Sequence, residues 1–382
     1  MASWLARCCG RTPPRTDGND GGDDHDDLLL WSNSLLPHYV GEFSAAIVQA
    51  NVLVEDQLQV ETFRCGTFVG VYDGHGGDDC STYVAQRLFK NFLRIAKENP
   101  NGTVGNAIRD AFMATDNEFL RLVETSREEN PLIAAAGSCG LVGVIWEGKV
   151  YVANAGDSRA VLGRLVRNNQ IVAQQLSEDH NPNNASVREA LISSHSDDPN
   201  IVVQKNGVWR VKGIIQLTRA LGDGYLKRAE FALPAEHTRF QLPAPLQRPA
   251  LTAEPSMQEH TIQPEDRFLI FASDGLWDCL SNQQAVDIVF ASPRAGIARR
   301  LIRTAMQVIE NRCGLRYELI KMVAPGERRA CHDDISVVVV YIEHEMTGSG
   351  RGHSASAASV SVRGFGNPEG PSEFTVLDEV ER

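Results

Sequence analysis

Several apolar runs of this chain stop or start on a carboxylate. "TFVGVYDGHGG" carries a β-branched and aromatic run, 67–72, directly into Asp73, Gly74 and His75. "RFLIFASDGLWD" repeats the device at Asp274 and Gly275, and "HDDISVVVVYI" inverts it, with Asp333 and Asp334 ahead of the last apolar run. "VYVANAGDSRAVLG" sets Asp157 in a turn between two runs, and "VLVEDQ" places Glu55 and Asp56 close to the first. Singly, a DG or GDS after a strand is an ordinary turn. Together they are hard oxygen ligands at strand ends. Two carboxylates 4 Å apart repel by about 4 kcal/mol at an effective dielectric of 20, so a cluster of them makes sense around divalent cations. Oxygen-only donors point to Mg²⁺ or Mn²⁺, whereas zinc would want His or Cys.

The elements that must position these groups are legible as runs. Strands are expected at 43–49, 67–72, 140–146, 149–155, 159–163, 267–273 and 335–342, with "WEGK" (146–149) as a tight hairpin. Helices are expected at 79–97, 104–124, 282–291 and 294–311; in the second, Ile108, Phe112, Phe119 and Val123 share one face. Hairpins plus paired helices suggest an α+β fold of antiparallel sheets covered by helices. The stretch "DGNDGGDDHDD" (17–27) is too polar to pack, and its six Asp lack the spacing of a calcium loop. A Ser/Gly-rich stretch begins at 347. The expected organisation is therefore a disordered leader, 1–37, one folded domain, 38–344, and a disordered tail, 345–382.

A formal net charge of −12 and a pI of 5.4 exclude the basic stripe of a nucleic-acid binder. Eight cysteines, none in a CxxC pair, are read as reduced thiols of an intracellular protein. The N-terminal "MASWLARCCGRTPPR" has three Arg and no acid, as transit peptides do, and its Cys8 and Cys9 are open to palmitate; the plainer reading is a disordered leader.

"VYDGHGG" (71–77), "ANAGDSRAVL" (153–162), "LTRALGD" (217–223), "ASDGLWD" (272–278) and "HDDISVVVV" (332–340) resemble, in order, the motifs of the metal-dependent protein phosphatase 2C family. The resemblance runs from about 38 to 343. It is greatest to a plant subgroup, clade D, through "AIVQANVLVEDQ" (46–57) and "VWRVKGIIQLTRALGDGYLKRAEF" (208–231). It implies a four-layer αββα sandwich with the metal site at one edge between the sheets. By motif, Asp73 should bridge two Mn²⁺ or Mg²⁺ ions and the Gly74 carbonyl should bind one of them. Asp274 and Asp333 would complete the other ion's protein ligands. Glu55 and Asp56 match an acidic pair that holds metal-bound water, and Asp157 matches a residue linked to a weaker third metal. His75 matches the proposed general acid, suited by its ordinary pKa near 6.5. The implied reaction is hydrolysis of phosphoserine and phosphothreonine by water made acidic between the ions. No HCx₅R or GxxxxGK[ST] loop offers a covalent or ATP-driven route.

Two departures stand out. Many family members carry an Arg four residues before the acidic pair, where it grips the substrate phosphate; Asn51 stands there, so either another cation serves, with Lys212 and Arg219 as candidates, or metal-bound waters do the gripping alone. The last motif reads Asp333-Asp334 where Asp-Asn is common, and register with "ISVVVV" gives the metal to Asp333. The segment 187–200 matches a variable flap beside the site, and Trp209 and Trp277 read as core or pocket wall. The subgroup implies phosphoprotein substrates, plasma-membrane proton pumps among them, and inhibition by small auxin-induced proteins. A monomer in the cytoplasm or nucleus, with a peripheral plasma-membrane pool, is expected. The rival reading is a pseudophosphatase scaffold, whose foothold is Asn51.

Overall fold

The computed structural model describes residues 27–63, 66–324, 326–343 and 360–365. The β-branched runs pair into two antiparallel sheets. The first has the order β1 (Leu30–Ser32), β3 (Gly41–Val48), β17 (Ile335–Tyr341), β16 (Asp266–Ala272), β10 (Arg159–Val166) and β11 (Gln170–Gln175), with β2 (Leu36–His38) also on β3. The second runs β15 (Ser256–Thr261), β9 (Lys149–Ala155), β8 (Gly140–Trp146), β5 (Gly66–Tyr72), β4 (Gln57–Phe63) and β18 (Ser361–Val362). A small sheet joins β14 (Leu221–Gly222), β7 (Gly137–Ser138) and β6 (Gly74–His75), and β12 (Val202–Lys205) pairs with β13 (Val208–Val211).

The layers follow from alternation along the strands. All of β17 is buried. Its Val338 and Val340 meet Phe43, Leu58, Val71 and Leu141 between the sheets, while Val337 and Val339 face the helix side with Leu301 and Ala305. Burying one such valine is worth roughly 1.5–3 kcal/mol, which holds the strand on both faces. Helices α1 (Asp79–Glu98) and α2 (Val104–Ser126) cover the second sheet, and α6 (Asn282–Ala291) and α7 (Ile297–Cys313) cover the first. The result is the expected four-layer αββα sandwich. On α2 the anticipated face, Ile108, Phe112, Phe119 and Val123, is buried, and Thr103 caps the helix by accepting from the Asn106 amide. Helix α7 ends at Gly314 in the left-handed region. Between β8 and β9, Glu147 and Gly148 both take positive φ, as a two-residue hairpin turn requires. Helix α3 (Ala185–Ser194) leads into the β12–β13 hairpin; α4 (Gly224–Lys227), α5 (Asp274–Trp277) and α8 (Tyr317–Ile320) are single turns. Among the described residues no helix is long and apolar enough to cross a membrane.

His38 ties the sheets together: Nδ1 meets Thr67 Oγ1 of β5 at 2.9 Å, and Nε2 meets the Tyr341 carbonyl of β17 at 2.9 Å. Burial lowers its pKa to about 4, so it is a neutral linker.

The boundaries drawn at 38 and 344 are corrected at both ends. Strand β1 lies inside the expected leader, β2 crosses its boundary at 37/38, and both pair with β3. Inside the expected tail, β18 pairs with β4, Val362 is buried, and Arg363 bonds the buried Glu61 at 2.7 Å and the Ala85 carbonyl at 2.6 Å. Composition suggested a segment unable to form a core, but this one needs only a sheet edge to finish. The rest of the tail, and residues 1–26 with Cys8 and Cys9, lie outside the described residues.

Candidate metal and catalytic site

Strand register brings the carboxylates to one corner. Gln57 pairs with Tyr72, so Asp56 and Asp73 extend neighbouring strands at the same end of the second sheet. Ala272 pairs with both Val337 and Arg159, which puts Asp274, Asp333 and the β9–β10 turn with Asp157 at one end of the first. Glu55 and Asp56 sit where the chain crosses from β3 to β4, between the sheets.

Each group is held by its surroundings. The Asp73 carbonyl accepts from the Cys139 amide at 2.8 Å. Asp56 accepts from Ser273 Oγ at 2.8 Å, and Asp157 accepts from Asn181 Nδ2 at 2.9 Å and from the Cys139 thiol at 3.4 Å. Glu55 accepts from the Gly77 amide at 3.0 Å. Glycine is needed at 74 for space, since a Cβ there would lie 2.4 Å from the Glu55 carbonyl, and at 77 for its φ of 118°. Asp333 and Asp334 divide the work between them. Asp334 is buried and accepts from the amides of Ala50 (2.6 Å), Asn51 (3.1 Å), Glu55 (2.7 Å) and Asp56 (3.4 Å), which uses both oxygens for structure. Asp333 is the partly exposed one, turned toward Arg329 and Asn51.

Burial, and then mutual repulsion, push Asp73 and Asp274 well above the usual carboxylate range; for Asp73 the repelling groups are Asp274, Asp56, Asp333 and Asp157. Asp56 is likewise raised by burial and then by Asp334, while Glu55, Asp157 and Asp333 are raised chiefly by burial. The gathering is loose: among the described residues no three acidic, His or Cys side chains close around a single point. The donor set still fits divalent cations, because buried carboxylates that raise one another are what an oxygen-liganded ion would relieve.

His75 lies on β6, with its Nε2 2.9 Å from Asp223 Oδ2. Burial pulls its pKa down, but the Asp223 charge and hydrogen bond override that, and the net shift is upward. Gly137 on β7 forms the floor, since a Cβ there would lie 2.2 Å from Nε2. Asp223 is fully buried and left-handed, with φ 50°, a conformation Asp tolerates better than most residues. The sequence reading quoted it within "LTRALGD" but gave it no role. The nearby thiols of Cys80 and Cys139 are pushed well up by burial, so neither offers a thiolate nucleophile.

The cations tell a different story from the one expected at Asn51. Lys212 is buried against Asp198 in the flap, and Arg219 donates to the Glu254 carbonyl at 2.8 Å. Arg329, which sequence reasoning missed, reaches the cluster instead. Its guanidinium donates to Asn51 Oδ1 (3.1 Å) and Glu55 Oε2 (3.0 Å) and pairs with Asp333 Oδ2 (2.9 Å). Trp277 is buried and Trp209 stacks under Arg188, as wall residues.

The family model described as "Protein phosphatase 2C" matches residues 58–311. The chain belongs to the protein phosphatase 2C family. "Probable protein phosphatase 2C 25" of Oryza sativa subsp. japonica is 51% identical over the whole of both chains. "Probable protein phosphatase 2C 68" of Arabidopsis thaliana is 48% identical, covering 99% of this chain and 100% of its own. Among solved structures, the serine-threonine phosphatase 2C from Toxoplasma gondii aligns with a TM-score of 0.50 at 22% identity, over 82% of this chain and 99% of its own. A C. elegans sex-determining protein aligns with a TM-score of 0.59 at 20% identity, over 83% of this chain and 67% of its own. These two bear on the fold alone. Phosphatase 2C enzymes act on phosphoserine and phosphothreonine in proteins and depend in general on Mn²⁺ or Mg²⁺. Nothing in the relatives favours a scaffold without turnover.

Proposed function

We propose that this chain is a two-ion, Mn²⁺- or Mg²⁺-dependent protein serine/threonine phosphatase working at the corner between its sheets. The observation that carries this reading is the convergence of Asp73, Asp274, Asp333, Asp157, Glu55 and Asp56 from both sheets, several raising one another's pKa. Asp73, the Gly74 carbonyl, Asp274 and Asp333 would hold two ions, Glu55 and Asp56 their waters, and Asp157 a weaker third. Bound there, the cations supply positive charge for the phosphoryl oxygens and acidify the attacking water. His75, whose pKa the Asp223 charge and hydrogen bond raise against the pull of burial, gives its proton to the departing serine or threonine oxygen, and Asp223 holds the ring for that transfer. Water adds to phosphorus as the ester P–O bond breaks, so the products are the free hydroxyl and inorganic phosphate. The subgroup resemblance supports plasma-membrane proton pumps as substrates, small auxin-induced proteins as inhibitors, and a cytoplasmic or nuclear enzyme with a peripheral membrane pool.

The test is phosphate release from a phosphothreonine peptide in Mn²⁺, Mg²⁺ or EDTA, with Asp73→Asn alongside. Turnover that requires the metal and is lost in the variant is expected. A folded, metal-loaded protein without turnover would overturn the reading.

A further inference from the structure

We infer that Arg329 is the substrate-phosphate ligand of this chain, replacing from the far end of the sequence the cation that Asn51 does not supply; this rests on the phosphatase reading above. Seven carboxylates stand at this corner: Glu55, Asp56, Asp73, Asp157, Asp274, Asp333 and Asp334. A phosphorylated side chain brings a further dianion to it. Among the described residues, Arg329 is the single cation in ion-pair contact with any of the seven. It stands on the short turn Glu327–Ala330, a few residues ahead of Asp333, so the backbone that delivers the carboxylate also delivers the guanidinium. Its side chain is 43% exposed, open to an incoming group, whereas the neighbouring Arg328 is buried.

Asn51 changes meaning in this arrangement. Its backbone amide is fixed by Asp334 and its side-chain Oδ1 accepts from Arg329 Nη1, while its side-chain Nδ2 reaches Asp333 Oδ1 at 3.4 Å. It is a positioning residue that aims a guanidinium from another part of the chain. Were Glu55 and Asp333 turned to cations, their contacts with Arg329 would be the ones released, and the bond to the uncharged Asn51 would remain. Asn51 and Glu55 both lie on Nη1 and Asp333 on Nη2, so with one Nη1 proton kept by Asn51 the other Nη1 proton and Nη2 suit bidentate capture of phosphoryl oxygens, which a lysine cannot reproduce.

The experiment compares wild type with Arg329→Ala, Arg329→Lys and the double variant Arg329→Ala/Asn51→Arg, all Mn²⁺-loaded. KM and kcat are measured on a phosphothreonine peptide. Inorganic phosphate affinity and Mn²⁺ affinity are measured by calorimetry, which reads Arg329 whether or not turnover is seen. Loss of one charge-assisted pair predicts a roughly 10–100-fold rise in KM and in the phosphate dissociation constant for Arg329→Ala, with Mn²⁺ affinity held or improved. Arg329→Lys should fall between, and Asn51→Arg should restore at least tenfold of the loss. KM and phosphate affinity within twofold of wild type, or no recovery on adding Asn51→Arg, would overturn the assignment. A change confined to Mn²⁺ affinity would do the same, leaving Arg329 as a charge balance for Glu55 and Asp333. Wild type without metal-dependent turnover would instead overturn the phosphatase reading, separately from these comparisons.

Discussion

Arg363→Ala should unfold at a temperature about 5 °C below wild type, though Arg363 lies in a segment whose composition reads as tail. Glu61 is fully buried in the middle of β4, and Arg363 donates to it at 2.7 Å from a position only one-fifth exposed. Gln59 Nε2 and Ser361 Oγ also donate to the same oxygen, at 2.8 and 2.9 Å, so the variant does not strip Glu61 of every bond. Removing one partner of a buried ion pair costs roughly 3–5 kcal/mol, and those remaining donors place this case near 3. Unfolding entropy near 2.1 cal/mol/K per residue amounts to about 0.6 kcal/mol/K over roughly 300 ordered residues, which converts that loss to about 5 °C. The measurement is a thermal melt with urea unfolding in parallel, on Arg363→Ala, Glu61→Gln and the double variant. A glutamine needs no counter-charge, so the double variant should regain more than half of what Arg363→Ala loses. A shift below 1 °C, or a double variant no better than Arg363→Ala, would refute the idea that this contact holds the strand.

Two further outcomes follow from the histidines. Asp223→Asn removes the charge that offsets burial at His75, so the imidazolium loses its proton at lower pH; the alkaline limb of a kcat profile should move to lower pH, and an unmoved limb would remove His75 from the acid role. Burial lowers His38 to about 4 and His180 to about 3, while both titrate near 6.5 once unfolded. The unfolded chain therefore binds protons the folded chain refuses; stability is full above about pH 6.5 and falls toward pH 4 by roughly 1.4 kcal/mol per pH unit for each imidazole. Urea unfolding at pH 7 and pH 5 should show a shallower dependence in His38→Gln, and equal slopes would contradict the neutral linker.

The frame of the fold was readable because its central strands are short apolar runs with punctuated ends. The 140–146 and 149–155 runs became β8 and β9 unchanged, and the 282–291 run became α6. The metal-ligand candidates were readable for the same reason, since each sits next to a strand whose register places it. What escaped was polar or distant. Strand β15, "SMQEHT", is an edge with exposed polar side chains and no apolar signature. Strand β4 buries Gln59 and Glu61, which read as surface until Arg363 and Tyr72 are brought against them. Asp223 acquires meaning only because β14 lies beside β7 and β7 beside β6, and Arg329 only because the turn before β17 passes Asn51. Register with "ISVVVV" already separated Asp333 from Asp334; what no spacing rule contains is that Asp334 spends both oxygens on four backbone amides.

Asp334 also measures a length. One carboxylate oxygen takes the amides of Ala50 and Asn51, and the other takes those of Glu55 and Asp56. The stretch between must therefore bridge a fixed gap with a fixed number of residues. Val52 and Leu53 are exposed within it and free to vary in kind. One residue more or fewer would strand a pair of amides and carry Glu55 away from Gly77 and Arg329. In descendants of this chain, point changes should gather at 52 and 53, while insertions and deletions between 51 and 55 should appear only together with loss of the acid at 334.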